Sequence, residues 1–309
     1  MQLLSLVVPC FNEEETISIF YEEILKIAPQ IDAELEFCFV DDGSSDGTLK
    51  ILRDLSKKDS RVHYVSFSRN FGKEAALYAG LQKSTGDYVV TMDVDLQDPP
   101  SLLPKMWDDI TDESQNLDCI ATRRKTRKGE PVIRSLFANM FYRLINKMSE
   151  TKIENGARDF RLMSRRFVDA ILQDKEYNRF SKGIFSWVGF NVKWIAYDNV
   201  ERSAGQTKWS FFKLFRYSIE GVLAYSTLPL YMSSIIGLFF CFFSALALIF
   251  VVVRAMLFGD PTPGWPSMIC VIIFIGGIIL LNLGIIGLYI SKIYLETKKR
   301  QLYVIREQF

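Results

Sequence analysis

The sequence contains almost no histidine and no paired cysteines. Its 309 residues include one histidine, His63, and five scattered cysteines, none of them in a CxxC pair. A Ser-His-Asp triad needs a histidine beside its nucleophile, and zinc sites are built largely from cysteine and histidine ligands. His63 lies in an apolar run typical of a strand, so we interpret it as structural. These absences exclude a histidine-based triad or zinc site, and they favour reduced, buried thiols.

An excess of charge of one sign is also lacking. The 37 Lys and Arg residues are balanced by 36 Asp and Glu residues, which gives a formal net charge of +1. No global basic field therefore favours nucleic acid as a partner, and attraction to anionic lipid must come from local clusters. The amino terminus lacks the positively charged segment and cleavage site of a secretory signal. It has the pattern of a first strand, and we predict that the chain starts in the cytoplasm.

Short apolar runs alternate with amphipathic, helix-like stretches from Leu3 to about Arg124. This pattern predicts an α/β domain with a mainly parallel, Rossmann-like sheet, covered by helices and binding its ligands at the carboxyl ends of the strands. A further strand-like run, Val192–Val200, follows later. The other predicted strands are Leu4–Pro9, Leu35–Val40, Val62–Ser68, Tyr88–Asp95 and Asp118–Arg123.

Two long apolar stretches follow this domain. Leu228–Phe258 and Met268–Ile290 each exceed the roughly 20 residues that a helix needs to span a bilayer. Their connector has no Lys or Arg while both flanks do, so the positive-inside rule places both ends of a transmembrane hairpin in the cytoplasm. Buried core helices are the alternative. Four glycines in the second stretch permit close helix contact, either inside the hairpin or between protomers of a homo-oligomer. They are Gly276, Gly277, Gly284 and Gly287.

The segment before the first apolar stretch is rich in aromatic residues beside cations. This composition predicts an amphipathic helix in the membrane interface over 209–226, with an ordinary domain helix as the alternative. The predicted organisation is therefore a cytoplasmic catalytic domain, this helix, two transmembrane helices and a cytoplasmic tail, in a multi-pass protein of the inner (plasma) membrane. Their ranges are 1–208, 209–226, 227–258, 267–291 and 292–309.

Two acidic clusters follow predicted strands. Asp93 and Asp95, in TMDVDLQD, close an apolar strand, and Mg²⁺ is typically held by one or two carboxylates together with substrate phosphates. Asp-x-Asp pairs also occur in solvated loops, but the place at a strand end favours a metal site. In DDGSSDGT, Asp42 is placed to accept hydrogen bonds from a base or ribose, or to stabilise the turn itself.

Four segments in chain order, VVPCFNEE, VDDGSSDGT, SRNFGKEAAL and MDVDLQDPP, resemble the signature segments of family 2 glycosyltransferases with the GT-A fold. Farther along, GARDFRLMSRR, ERSAGQTKWS and the two apolar stretches are similar to the polyprenyl-phosphate glycosyltransferases. That group contains dolichyl-phosphate mannose synthase and bacterial enzymes that make undecaprenyl-phosphate glucose. The resemblance covers nearly the whole chain. It implies a GT-A catalytic domain followed by the interfacial helix and the transmembrane hairpin.

The resemblance also implies roles for individual residues. The nucleoside of a nucleotide-sugar donor would be held by Pro9, Phe11, Glu13 and Asp42, with the backbone of Val94 facing the nucleotide. The cofactor, Mg²⁺ or Mn²⁺, would be surrounded by Asp93, Asp95 and Gln97. Four residues after Arg134 stands Ala138, where the dolichyl-type enzymes are expected to carry a hydroxyl that helps to hold the acceptor phosphate. The bacterial branch is therefore the better match.

Two groups of cations suit phosphate groups. Arg123 and Arg134 are assigned to the acceptor phosphate, because guanidinium groups make bidentate, charge-assisted contacts with phosphate. A solvated loop is the alternative, and the lack of interleaved aromatics argues against nucleic acid. Arg202 and Lys208 lie in a loop of the kind that folds over the donor diphosphate in the family, or that anchors the chain beside the membrane. The membrane surface is predicted to contact Lys125, Arg127 and Lys128.

The predicted reaction is direct displacement at the anomeric carbon by a lipid phosphate oxygen, with inversion. A phosphate monoester has a second pKa of about 6, so it needs little activation at pH 7. Asp159 is the candidate for orienting the acceptor or taking a residual proton, and with Asp95 it makes up the predicted catalytic pair. An ion pair of Asp159 with Arg158 or Arg161 is the competing interpretation.

UDP-glucose is the donor favoured by its frequency in the family, with UDP-GlcNAc and UDP-galactose left open. Two other functions agree less well with the sequence. A processive polysaccharide synthase usually carries a QxxRW segment and more membrane spans, and this sequence has neither. A non-catalytic membrane scaffold would not need the acidic pair and the basic loop that the sequence retains.

Overall fold

The computed structural model describes residues 2–124, 154, 156–198, 228–258 and 264–309. These residues fall into two compact units, one formed by those before 225 together with 300–309, the other by those between 228 and 299. Several predictions lie outside the described residues. They concern the interfacial helix at 209–226, the hairpin connector, Lys125, Arg127, Lys128, Arg134, Ala138, Arg202 and Lys208.

The first unit is built on one sheet of eight strands in the order β7-β5-β6-β4-β1-β2-β3-β8. The strands are β1 (Leu3–Cys10), β2 (Glu34–Asp41), β3 (Val62–Phe67), β4 (Tyr88–Thr91), β5 (Cys119–Arg124), β6 (Ala157–Ser164), β7 (Val192–Tyr197) and β8 (Ile305–Gln308). Its α-helices in the described residues are α1 (Ile17–Ile27), α2 (Thr48–Lys58), α3 (Lys73–Lys83), α4 (Leu103–Thr111), α5 (Arg165–Gln173) and α6 (Ser181–Trp187).

The mainly parallel sheet predicted from the sequence is confirmed. Strands β1 to β4 pair in parallel, as do β5 and β7. Two strands run antiparallel to their neighbours and were not predicted: β6, between β4 and β5, and β8, at the outer edge of β3. Strand β4 ends at Thr91, four residues earlier than predicted. Asp93 and Asp95 therefore lie in the loop that follows the strand, where Leu96 adopts a left-handed conformation.

The core forms because the central strands are apolar on both faces, as in a sheet covered by helices. All of β2 from Leu35 onward is buried. Helix α1 covers it with a stripe of Ile17, Phe20 and Ile24, spaced for one helix face. Cys10, Cys38 and Cys119 are buried free thiols, as predicted, and burial raises the pKa of Cys119 to about 11.

The second unit contains two long helices, α7 (Leu228–Phe258) and α8 (Trp265–Thr297). They contact each other through a hydrogen bond from the Ser233 hydroxyl to Asn282 Oδ1 and through the rings of Phe240 and Phe274. Among the described residues, one segment, Phe274–Thr297, is long and apolar enough to cross a membrane. Helix α8 extends to Thr297, six residues beyond the predicted end of the second transmembrane helix.

The glycines of α8 do not provide the contact with α7. In the described part of the chain, a Cβ added at any of the four predicted contact glycines would meet no heavy atom within 4 Å. The sequence raised close contact either inside the helix pair or between protomers. The described residues of the structure show no close contact with α7 at these four glycines. They are Gly276, Gly277, Gly284 and Gly287.

The residues after α8 return to the sheet instead of forming only a tail. Strand β8 pairs with β3, with Ser66 opposite Glu307. Glu307 accepts a hydrogen bond from Arg53 Nε at 2.7 Å and one from the Tyr64 hydroxyl at 3.1 Å. Phe309 stacks on Tyr64 with ring centroids 6.3 Å apart. The C-terminal segment thus covers a sheet edge that would otherwise expose unpaired backbone groups.

Gly43, directly after β2, requires glycine for two reasons. Its φ is +67°, and an added Cβ would lie 2.3 Å from the carbonyl carbon of Arg69. We expect Gly43→Ala to lower the free energy of unfolding by at least about 3 kcal/mol, because left-handed strain and a backbone clash add. Thermal unfolding of the detergent-solubilised protein should show a midpoint lower by about 6 °C or more.

Gly189→Ala is the matched control for Gly43→Ala. Gly189 also has a positive φ, +74°, but its nearest heavy atom to an added Cβ is Trp187 O at 3.8 Å, an ordinary contact. It should cost only about 1 kcal/mol, since conformational strain acts there alone. Equal shifts in the two variants would show that the clash with Arg69 is relieved without cost.

Candidate active site

The loops after β1 and β2 are joined by side-chain hydrogen bonds. Asn12 donates from its backbone to Ser44 Oγ at 2.9 Å and accepts at Oδ1 from the Ser45 amide at 2.8 Å. The Glu13 amide donates to Thr48 Oγ1 at 2.8 Å. The two predicted nucleoside-binding segments therefore form one surface at the carboxyl ends of these strands. The partly buried residues Pro9, Phe11 and Glu13 lie on it.

Asp42 organises the loop between β3 and α3, residues 68–72. Its carboxylate is buried and accepts hydrogen bonds from the amides of Phe71, at 2.6 Å, and Gly72, at 2.9 Å. Burial raises the pKa of Asp42 to about 6, against the opposing effect of these two hydrogen bonds. The carboxylate thus holds a distant loop and not its own turn, which was the structural alternative raised by the sequence. The side chain connects the end of β2 to the residues that precede Lys73.

Lys73, the first residue of α3, bridges two acidic residues from distant parts of the chain. Its Nζ lies 2.6 Å from Asp93 Oδ1 and 2.7 Å from Asp159 Oδ2. Burial disfavours the ammonium, but the two carboxylates outweigh this effect and raise the pKa of Lys73. Burial likewise opposes ionisation of Asp159, and Lys73, Lys182 and Arg158 more than compensate, so its pKa is lowered. Both groups are charged at neutral pH.

Arg158, one residue before Asp159 on β6, is the second cation at this edge. Its Nε donates to Asp98 Oδ1 at 2.8 Å, and its Nη2 lies 3.7 Å from Asp93 Oδ2. Asp98 is fully buried and also accepts a hydrogen bond from the Tyr197 hydroxyl. Burial opposes the charge of Arg158, whereas Asp98 and Asp93 raise its pKa. Asp93 therefore stands between two fixed cations.

The competing interpretation of Asp159 named the wrong partners. Its ion pair is with Lys73, while Arg158 pairs with Asp98. Arg161 is buried to 1% exposure, with its guanidinium carbon 4.5 Å from the ring centroid of Phe185. On a strand, Arg161 lies on the same face as Asp159 but its neighbours are aromatic, so it belongs to the core of the sheet.

The remaining predicted metal residues lie on the same loop as Asp93. The backbone amide of Gln97 donates to Asp95 Oδ1 at 3.2 Å. The side-chain oxygen of Gln97, Oε1, accepts from Arg124 Nη2 at 3.2 Å. The Val94 side chain is buried. Among the described residues, no group of three His, Cys, Asp or Glu side chains is arranged to hold a metal ion.

Arg123, predicted to bind the acceptor phosphate, lies near the end of β5 and forms an ion pair with Glu154. Both side chains are more than a third exposed, so this pair is weak. Arg134, Arg202 and Lys208 lie outside the described residues.

Lys73 and the Asp98–Tyr197 pair were missed by the sequence interpretation. Lys73 had a usable signal, because it opens the helix after the third parallel strand, where ligands bind in such sheets. Arg158 was considered only as an ion-pair partner of Asp159, and its contacts with Asp98 and Asp93 were not predicted. Asp98 lies close to the Asp-x-Asp pair, but only its partners on β6 and β7 show why it is buried.

The sequence matches a family model and several curated proteins. The family model described as "Glycosyl transferase family 2" matches residues 5–172. The putative glycosyltransferase CsbB of Bacillus subtilis (strain 168) is 43% identical over 99% of this chain and 92% of its own length. The bactoprenol glucosyl transferase of Shigella phage SfX is 42% identical over 99% of both. Glucosyl-3-phosphoglycerate synthase from Mycobacterium tuberculosis, solved with Mn²⁺, UDP-Glc and phosphoglyceric acid, is 19% identical, over 72% of this chain and 78% of that one, with a TM-score of 0.46.

Proposed function

Because the chain belongs to glycosyl transferase family 2, we propose that it transfers one glucose from UDP-glucose to undecaprenyl phosphate, inverting the anomeric carbon. The transfer takes place at the cytoplasmic face of the membrane. The name of the phage relative, bactoprenol glucosyl transferase, supports this substrate pair. That protein is 42% identical to this chain over 99% of both. The mainly parallel sheet is that of the family's GT-A fold.

One observation carries the proposal: Asp93 and Asp159 share the Lys73 ammonium at the carboxyl edge of the sheet, beside the Asp-x-Asp loop. Transfer between two phosphates brings several negative charges into one site. Fixed cations next to the carboxylates balance that charge without reorganising during the reaction. Lys73 and Arg158 supply such cations from α3 and β6, two elements of the rigid sheet domain.

A divalent cation is assigned to Asp93, Asp95 and Gln97, where it would compete with Lys73 for Asp93 and with Arg124 for Gln97. All three offer oxygen, and the Gln97 amide orients the Asp95 carboxylate at 3.2 Å. Three protein ligands leave coordination positions for donor phosphates, which is how Mg²⁺ is usually bound. When bound, Mg²⁺ or Mn²⁺ would neutralise charge on the departing diphosphate. Arg202 and Lys208 are assigned to the same diphosphate, and Pro9, Phe11, Glu13, Asp42 and the Val94 backbone to the nucleoside.

Asp159 acts in this proposal by orienting the acceptor. Its lowered pKa keeps it ionised through the bridge to Lys73, which makes it a poor reservoir for a proton. The acceptor requires no strong base, because a phosphate monoester with a second pKa of about 6 is mostly dianionic at pH 7. Arg123 and Arg134 would hold that phosphate, with Arg123 released from Glu154 on binding.

Helices α7 and α8 are assigned to the membrane as a hairpin whose ends are both cytoplasmic. Their lengths of 31 and 33 residues exceed the roughly 20 needed to cross a bilayer. The Ser233–Asn282 hydrogen bond pairs two polar groups that would otherwise be unsatisfied in lipid. The hairpin then keeps the catalytic unit where a lipid phosphate can reach it.

The test is a transfer assay on the full-length protein in lipid nanodiscs. Radiolabelled UDP-glucose, UDP-GlcNAc, UDP-galactose and GDP-mannose are each incubated with Mg²⁺ and undecaprenyl phosphate. We expect organic-extractable label from UDP-glucose, abolished by EDTA and restored by Mg²⁺ or Mn²⁺.

Undecaprenol, which lacks the phosphate, is the matched acceptor control and should receive no label. Absence of lipid-linked label with every donor would contradict the proposal. A water-soluble product that lengthens with time would instead identify a processive polysaccharide synthase.

A further inference from the structure

Three aromatic rings connect the C-terminal segment to the 68–72 loop. The Tyr303 ring stacks on Phe67, with centroids 4.7 Å apart and planes at 16°. Phe67, only 1% exposed, meets Phe71 edge-on at 5.7 Å. Such pairs are each worth about 0.5–1.5 kcal/mol beyond the area that they bury. Because the buried Phe67 ring contacts both, a displacement of Tyr303 would change the packing of Phe71.

Polar contacts attach the same segment to both flanks of the loop. The Ser68 amide, at the start of the loop, donates to Val304 O at 2.9 Å. The Tyr303 hydroxyl donates to Gln82 Oε1 at 2.7 Å, on the helix that follows the loop. Residues 303 and 304 thus contact β3, the loop and α3 together.

The loop in turn fixes two groups of the active site. The Phe71 and Gly72 amides hold the Asp42 carboxylate, and Lys73 follows immediately. Gly72 has a φ of +100°, a conformation that glycine adopts without steric cost. Phe71 is the one loop residue whose ring reaches Phe67.

We propose that Tyr303 is a positioning residue for the nucleotide half of the site. It acts through Phe67 and Phe71 on the amides that orient Asp42. The inference rests on the proposed function, in which Asp42 contacts the nucleoside of the donor. Tyr303 touches no substrate, so its loss should weaken donor binding more than it slows the chemical step.

The other end of β8 offers a matched control. Phe309 also stacks on a β3 aromatic residue, Tyr64, but Tyr64 lies three residues before Phe67 and, within the described residues, makes no hydrogen bond or ring contact with the loop. Phe309→Ala therefore removes one ring pair between β3 and a residue flanking β8, as Tyr303→Ala does, and leaves the path to Asp42 intact. Tyr303→Phe keeps the stacked ring and removes only the hydroxyl.

Hydrogen exchange of the nucleotide-free, full-length protein tests the loop itself. In Tyr303→Ala, the amides of Phe71 and Gly72 should exchange about tenfold faster, because the opening free energy of the loop falls. Phe309→Ala and Tyr303→Phe should leave these two amides at the wild-type rate. Unchanged exchange in Tyr303→Ala, or an equal increase in Phe309→Ala, would overturn the proposal.

Steady-state kinetics with UDP-glucose supply the second readout. Tyr303→Ala should raise KM for the donor about tenfold while kcat stays within about twofold, since uniform binding is lost. Phe309→Ala should leave both constants unchanged. A fall in kcat at constant KM would overturn the positioning role. A wild-type protein inactive with UDP-glucose would contradict the proposed function, while the exchange rates would still decide the role of Tyr303.

Discussion

Replacing Lys73 with methionine should lower kcat by about a hundredfold or more, the loss typical of removing one preorganised electrostatic group. Methionine has a similar length and no charge. It leaves Asp93 and Asp159, now 2.6 and 2.7 Å from the ammonium, without their shared counter-ion. The two carboxylates would repel each other and the donor diphosphate. The measurement is steady-state transfer of label from UDP-glucose, with the thermal midpoint recorded in parallel.

Lys83→Met is the matched control for Lys73. Lys83 is the last residue of the same helix, so the variant removes the same charge from the other end of α3. It should retain wild-type kcat. Lys73→Arg should recover part of the activity, because it restores a cation within reach of both carboxylates. Wild-type kcat in Lys73→Met would contradict a role for the bridge in catalysis.

Asp159→Asn should lower kcat about a hundredfold, the loss expected when a reactant is no longer held in the productive orientation. The amide keeps the size of the side chain but releases Lys73 toward Asp93 and gives up the charge that orients the acceptor. The effect should be on kcat and not on KM for UDP-glucose. Asp169→Asn, on the exposed face of α5, is the control and should behave as wild type.

A double variant separates one shared role from two independent ones. If Lys73 and Asp159 act as a bridge, the loss of activity in Lys73→Met combined with Asp159→Asn should be smaller than the product of the two single losses, because their shared contact is removed only once. Losses that multiply would show that the two residues contribute separately. Either result is read from kcat at saturating donor and lipid phosphate.

The alternation of apolar strands and helices was sufficient to predict the parallel part of the sheet. In β1 and β2 the apolar side chains are interrupted only by Ser5 and Glu36 between Leu3 and Val8 and between Leu35 and Val40, and burial on both faces leaves little choice of structure. The polar residues after such strands were expected at one edge, and Asp42, Asp93 and Asp95 do follow β2 and β4. The pattern could not predict where β4 ends, because the residues after Thr91 continue the same apolar and polar pattern in the loop that follows.

Strand β6 was missed because its signal is tertiary. The segment contains Arg158, Asp159 and Arg161, which resemble a polar loop when no partners are known. In the structure each has a specific partner from elsewhere in the chain: Asp98, Lys73 and the ring of Phe185. Burial of charge is acceptable only with such partners, and they lie 24 to 86 residues away.

Asp42 shows how a local interpretation can be correct and incomplete. The DDGSSDGT cluster predicted a turn, and the structure has one, with Gly43 in a left-handed conformation. The cluster contains nothing that predicts the amides of Phe71 and Gly72 as partners of the carboxylate. That contact depends on the third strand and on the loop after it, 29 and 30 residues farther along.

Strand β8 of the sheet is synthesised last, after both long helices. Residues 300–309 belong to the first unit, although all of the second unit is synthesised before them. At about 5–20 residues per second, the 75 residues of 225–299 take on the order of 4 to 15 seconds. During that time β3 has an open edge, and both long helices have left the ribosome before β8 can close it. The sheet of the first unit can therefore be completed only after both long helices have been synthesised.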